Sequence, residues 1–151
     1  MFLTIMVHSA VAHSRADCDR MRQDELSCLA CNIYHEARGE SEAGRMMVGV
    51  VTANRVKSKR FPNSFCEVVW APKQFSWTGD GKSDVVREQA MWKRSRAMAE
   101  HILSVYRRGG KVQVSGVAAN ATHYHNVSVR PRWAKHFAAT AQLGRHIFYS
   151  N

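Results

Sequence analysis

The sequence predicts a mainly helical α+β fold, and three observations carry that expectation. Apolar residues recur at helical spacing in three segments, beginning near Asp24, Glu42 and Val85. Glycines close two of these segments, Gly39 after the first and Gly109-Gly110 after the last. Beyond Gly110 the pattern changes to period two, as Val112 and Val114 alternate with polar residues. A chain of 151 residues suits one domain, with roughly two-thirds of its unfolded surface buried on folding. Its 45% hydrophobic and 23% charged content excludes disorder. The expected division is an N-terminal extension over 1–23 and a single domain over 24–151.

The extension opens on an apolar stretch, Phe2 to Val7, and Ala10-Val11-Ala12 has the small-x-small form of a cleavage site. No basic leader precedes it, so it reads as a weak export signal. In the first helix Leu26, Leu29, Ala30, Ile33 and Ala37 form the apolar face. Glu36 falls seven residues after Leu29 and three after Ile33, on or beside that face. Glu40 follows the break at Gly39 and is expected at the surface or in the turn.

Ser41 caps a second helix over 42–57, on which Met47, Val50, Val51 and Asn54 share a side. An amide on that side needs partners, so Asn54 is expected to brace the first helix or the site. Residues 60–84 read as a loop, with Pro62, Pro72, Gly79 and Gly81. They also carry Trp70, Phe75 and Trp77, which either cover the core or line a groove. The third helix spans 85–108 and buries Met91, Met98, Ile102 and Val105. A short strand follows at 112–114, and residues 122–126 form an extended piece. A short helix opens at Pro131, and 145–149 closes the chain as a strand. No apolar run approaches the ~20 residues that cross a membrane.

The net charge of +10 is unevenly spread. Residues 1–84 hold 11 Lys/Arg against 10 Asp/Glu, whereas residues 85–151 hold 11 against 2. An anionic polymer is the implied partner, whether nucleic acid, membrane surface or acidic cell-wall glycan. The four cysteines allow three full pairings. Cys28 and Cys31 form a CxxC, but zinc would need a second pair, and Cys18 and Cys66 stand apart. Buried thiols or a Cys28–Cys66 bridge is the expectation.

Glu36 carries the chemistry. A carboxyl group on an apolar helix face resists ionisation, which is what a general acid requires. The plainer alternative is a helix-end carboxylate paired with Arg38 or another arginine. His35-Glu36 resembles the start of HExxH, but position 39 is Gly39, so that zinc motif fails. His123 and His125 would share a strand face, and a metal there would need His146 or His35 as a third ligand. No GxSxG elbow, phosphate-binding loop or dinucleotide fingerprint occurs.

The stretch LACNIYHEARGESEAGRMMVGVVTANRVKSKRFPNSFCEVV, followed by QFSW, THYHNVSVRPRWAKHF and LGRHIFY, resembles the cell-wall hydrolase family of spore-cortex-lytic enzymes and phage endolysins. The likeness runs from Leu26 to Tyr149. It implies a lysozyme-like fold, similar to that of resuscitation-promoting factors, and cleavage of peptidoglycan glycan strands. The family's catalytic acid is the first glutamate of EARGE, here Glu36. Its groove segments match Gln74-Phe75 and Tyr124-His125-Asn126, with Trp77 and His123 beside them. Tyr34, His35, Glu40 and Asn54 are expected to support the acid.

Direct hydrolysis generally uses two carboxylates, and Glu40 is the nearby second one. If Glu36 works alone, lytic transglycosylation of the MurNAc-GlcNAc bond is the expected reaction, with lysozyme-type hydrolysis as the alternative. No metal or cofactor is expected, and the protein is expected to be a monomer acting in the cell wall or periplasm. It would arrive through a holin or by the N-terminal signal. The rivals are a metal-dependent peptidoglycan amidase or peptidase and a basic nucleic-acid-binding module.

Overall fold

Helix α1 (Glu25–Ala37) is the axis of the fold. The Asp24 carboxylate caps it by accepting from the Ser27 N–H. Residues 27–34 are buried without a break, more than two turns, so this helix meets protein on every side. Helices α2 (Glu42–Lys57), α3 (Phe65–Trp70) and α4 (Gln89–Arg107) surround it. Leu29 and Ile33 are fully enclosed, and each such side chain stabilises the fold by about 1.5–3 kcal/mol. A computed structural model describes residues 14–114 and 120–151. The N-terminal Phe2–Val7 and Ala10–Ala12 segments lie outside the described residues.

The core also holds one polar network. Asn32, fully buried on α1, donates from Nδ2 to Thr52 Oγ1 on α2 and accepts from Trp77 Nε1. Both ends of the amide are therefore satisfied, as a buried amide requires. Two disulfides fasten the same helix. Cys28 is bonded to Cys66 on α3, one of the two states the sequence left open. Cys31 is bonded to Cys18, in a 3-10 turn over Cys18–Met21, and the Asp17–Val85 bridge adds a second tie. The two cysteines of the CxxC thus belong to different disulfides.

Strands β1 (His123–Asn126), β2 (Ala138–Leu143) and β3 (His146–Ser150) form an antiparallel sheet in the order β1-β3-β2. Register pairs Tyr124 with Phe148 and Asn126 with His146. Tyr124, His146 and Phe148 touch one another on the inner face. His123, His125 and Tyr149 occupy the outer face, under the 3-10 turn Arg132–His136.

The α+β class is as the sequence predicts, with α1 and α2 at the expected places. Three local expectations are corrected. The loop expected over 60–84 contains α3, capped by Ser64, whose hydroxyl accepts from the Glu67 N–H. Helix α4 starts at Gln89 rather than Val85, because residues 85–88 are held extended beside Asp17 and Tyr34. Residues 112–114 form no strand element, although Val112 and Val114 are buried.

Gly49 sits where α1, α2 and α4 meet. A Cβ there would lie 2.5 Å from Ile102 Cδ1 and 2.9 Å from Ile33 Cδ1. Gly49→Ala is therefore expected to destabilise the fold by about 1–3 kcal/mol through overpacking, read as a lower denaturant midpoint at unchanged slope.

Candidate active site

Glu36 lies in the last turn of α1, where the helix leaves the core and turns toward the sheet. Its side chain is half-buried, and the Tyr124 hydroxyl donates to Oε2 across 2.8 Å. Burial pushes the Glu36 carboxyl above the ordinary glutamate range, while the Tyr124 hydrogen bond and the Arg55 charge pull it partly back. Burial and the facing carboxylate hold the Tyr124 phenol well above its usual value, so the tyrosine stays a donor. The pair thus places a carboxyl of raised pKa against a neutral hydroxyl.

Arg55 is the residue that sequence reasoning missed. It is buried in the last turn of α2, where a basic residue reads as an ordinary helix-end charge. Its Nε donates to the Thr122 carbonyl at 2.8 Å, and its guanidinium rests over Phe61 and Phe75. Asn54, one residue earlier, donates to the Ala121 carbonyl at 2.8 Å. Two neighbours on α2 therefore clamp the backbone that enters β1 and position Tyr124. Bracing of α1 or of the site is the role expected of Asn54, and this bond braces the backbone that leads to Tyr124.

Glu40 is a correction. It is buried, not at the surface, and its carboxylate accepts from both the N–H and Nε of Arg145. Burial pushes its pKa up, but the Arg145 hydrogen bonds and the His146 and Arg145 charges outweigh that and hold it below the usual range. Glu40 supports a turn, as expected, but it is the β2–β3 turn at Gly144. Arg38 pairs with Glu88 at 3.4 Å.

The expected groove residues divide. Gln74 is exposed, with Oε1 3.5 Å from Arg55 Nη1, and so joins the Glu36 neighbourhood. Phe75 and Trp77 are only 4% and 7% exposed and belong to the core, a second correction. The Trp77 ring stacks on His35 with centroids 4.5 Å apart and spends its N–H on Asn32. Tyr34 is fully buried, and its hydroxyl accepts from the Arg87 and Glu88 N–H groups. His35, kept largely neutral by burial, faces the 76–87 segment. Both support α1 by packing.

His123 and His125 lie on the sheet face opposite Tyr124, a third correction to the single groove read from THYHN. His123 contacts Phe61, Trp133 and Phe137. His125 Nε2 bonds the Tyr149 hydroxyl at 2.9 Å. The side chain of Asn126 accepts from the Ser128 N–H and shapes the turn after β1. As possible metal ligands the histidines are scattered, since His146 is on the inner face and His35 on α1.

A central helix ending in a half-buried acid, closed over by a three-stranded sheet, defines a small α+β domain built around one catalytic-type carboxyl. The chain belongs to the cell wall hydrolase family, whose sequence profile matches residues 39–149. That match begins three residues after Glu36. The spore cortex-lytic enzyme of Bacillus cereus is 37% identical over 60 residues, covering 40% of this chain and 23% of the relative. The one from Oceanobacillus iheyensis is 27% identical over 128 residues, covering 83% and 41%. The chain thus spans well under half the length of these relatives. Among solved structures, the catalytic domain of the Bacillus cereus SleB protein gives a TM-score of 0.63 at 26% identity, covering 85% of this chain and 91% of that one. The catalytic domain of the germination-specific lytic transglycosylase SleB from Bacillus anthracis gives 0.65 at 26% identity, covering 85% and 95%.

Tyr124→Phe removes a donor that favours the charged form of Glu36. If Glu36 is the acid, the alkaline limb of the pH–rate profile is expected to move to higher pH in this variant. An unmoved limb would contradict the assignment.

Proposed function

We propose that this chain cleaves the glycan strands of peptidoglycan at the MurNAc-GlcNAc bond, as a lytic transglycosylase with Glu36 as its one catalytic carboxyl. Its catalytic unit is residues 24–151 together with the preceding Asp17–Met21 segment, which the Cys18–Cys31 disulfide and the Asp17–Val85 bridge join to the same core. One observation carries the choice of reaction: Glu40, the nearby second carboxylate, is buried and bound twice by Arg145. It is not placed to activate a water for direct hydrolysis. The membership of the family and the likeness to SleB catalytic domains support the same reading.

The steps follow from a single proton. Glu36, whose pKa is raised by burial, gives its proton to the glycosidic oxygen as the bond from that oxygen to the muramic C1 breaks. The new carboxylate is then held by the Tyr124 hydroxyl and the nearby Arg55 charge. It takes the proton from the muramic C6 hydroxyl as that oxygen bonds to C1, which closes a 1,6-anhydro ring. Glu36 ends as it began, and no water enters. Gln74, exposed beside Arg55, is the residue we assign to meet the sugars.

Glu36→Gln keeps the shape and removes the transferable proton. It is expected to lower muropeptide release from purified peptidoglycan by at least about 10²–10⁴-fold. Stability moves the other way. A carboxyl whose folded pKa is raised binds its proton more tightly folded than unfolded, so wild-type stability falls as pH rises from about 4.3 through the folded value. The variant's Tm is expected to match or exceed the wild type's at pH 7, with the gain gone in acid. Near wild-type release would overturn the assignment.

A further inference from the structure

Residues 127–135 leave β1 through a turn and double back over the outer face of the sheet. Between that segment and the sheet lies a cavity of about 520 Å³. Val127, Val129 and Ile147 give it apolar walls, and Arg130, Arg132 and Lys135 line it with positive charge. No carboxylate lines it, and none of the three cations forms an ion pair among the described residues. Val127 and Val129, at 43% and 50% exposure, are the exposed large apolar side chains among the described residues. Such walls suit an occupant that carries carboxylates alongside small alkyl groups.

We propose that this cavity binds the short acidic, alanine-containing peptide borne by the muramic residues of peptidoglycan, so that the domain prefers peptide-bearing strands. The proposal rests on the glycan-cleaving reading. Strand β1 is an edge strand, with Tyr124 reaching Glu36 on one face and His125 bordering the cavity on the other. A sugar held at Glu36 is within contact of β1 through Tyr124. A sheet layer occupies about 10 Å, and four extended residues reach about 13 Å. Tyr124 and His125 are consecutive in β1, so the acid and the cavity flank the same strand, a separation on the scale that a short extended peptide covers.

Two measurements on the full chain test this. Calorimetry with a soluble alanine–glutamate–diaminopimelate–alanine tetrapeptide is expected to show binding by the wild type and none by the triple variant Arg130→Gln, Arg132→Gln, Lys135→Gln. Absence of wild-type binding overturns the proposal, whatever happens in cleavage assays. In those assays the triple variant is expected to lose at least about tenfold in kcat/KM on intact peptidoglycan, while matching the wild type on strands stripped of peptide by an amidase. Equal loss on both substrates overturns it too, because the charges would then serve attraction to any polyanion. Wild-type inactivity on both substrates, with the peptide still bound, would instead sink the glycan-cleaving reading and leave the peptide site standing.

Discussion

The hydrogen bond from Tyr124 to Glu36 spans 88 residues of sequence, and much of the structure serves to let it form. One partner sits at the end of a helix enclosed by three others; the other sits on an edge strand of a small sheet. Neither layer could hold the contact alone. Asn54 and Arg55 grip the carbonyls of Ala121 and Thr122 from α2, which sets where β1 begins. Glu40 grips Arg145 from the turn after α1, which sets where β3 begins. The sheet is thereby tied to the helices on either side of the acid.

The approach at the second tie is close. Gly144 has φ +56, and a Cβ on it would fall 2.2 Å from Glu40 Oε2. Only glycine accepts both the left-handed backbone and the carboxylate beside it. Charge is divided between the two glutamates by the same geometry. Glu40 is satisfied by an N–H and a guanidinium and stays ionised. Glu36 has one hydroxyl and the Arg55 charge, too little to offset its burial, so its pKa stays raised.

Much of this was legible from residue order. The spacing of Leu29, Ile33 and Glu36 placed the acid on α1, and Ser41 marked the start of α2. Glu40 lies in the turn after α1, as its place beyond Gly39 predicts, but its burial depends on Arg145, 105 residues away, which no local pattern announces. Strand β2 escaped notice because Ala138–Leu143 is largely exposed and lacks alternating apolar residues. Helix α3 is six residues long, too short for periodicity to register, though Ser64-x-x-Glu67 was a visible capping signal. Phe75 and Trp77 show the limit of reading aromatics in a loop. Sequence cannot tell a ring that faces a sugar from one that faces Asn32 or Arg55.

The central claim is that one carboxyl performs the reaction without a partner to activate water. Cleavage in ¹⁸O-labelled water, followed by mass spectrometry of the muramic ends, tests it most directly. A lone Glu36 predicts products one water lighter than the hydrolytic ones, closed as 1,6-anhydro rings and free of label. Reducing muramic ends carrying ¹⁸O would contradict the account, because a second group would then have to deliver water to the same carbon.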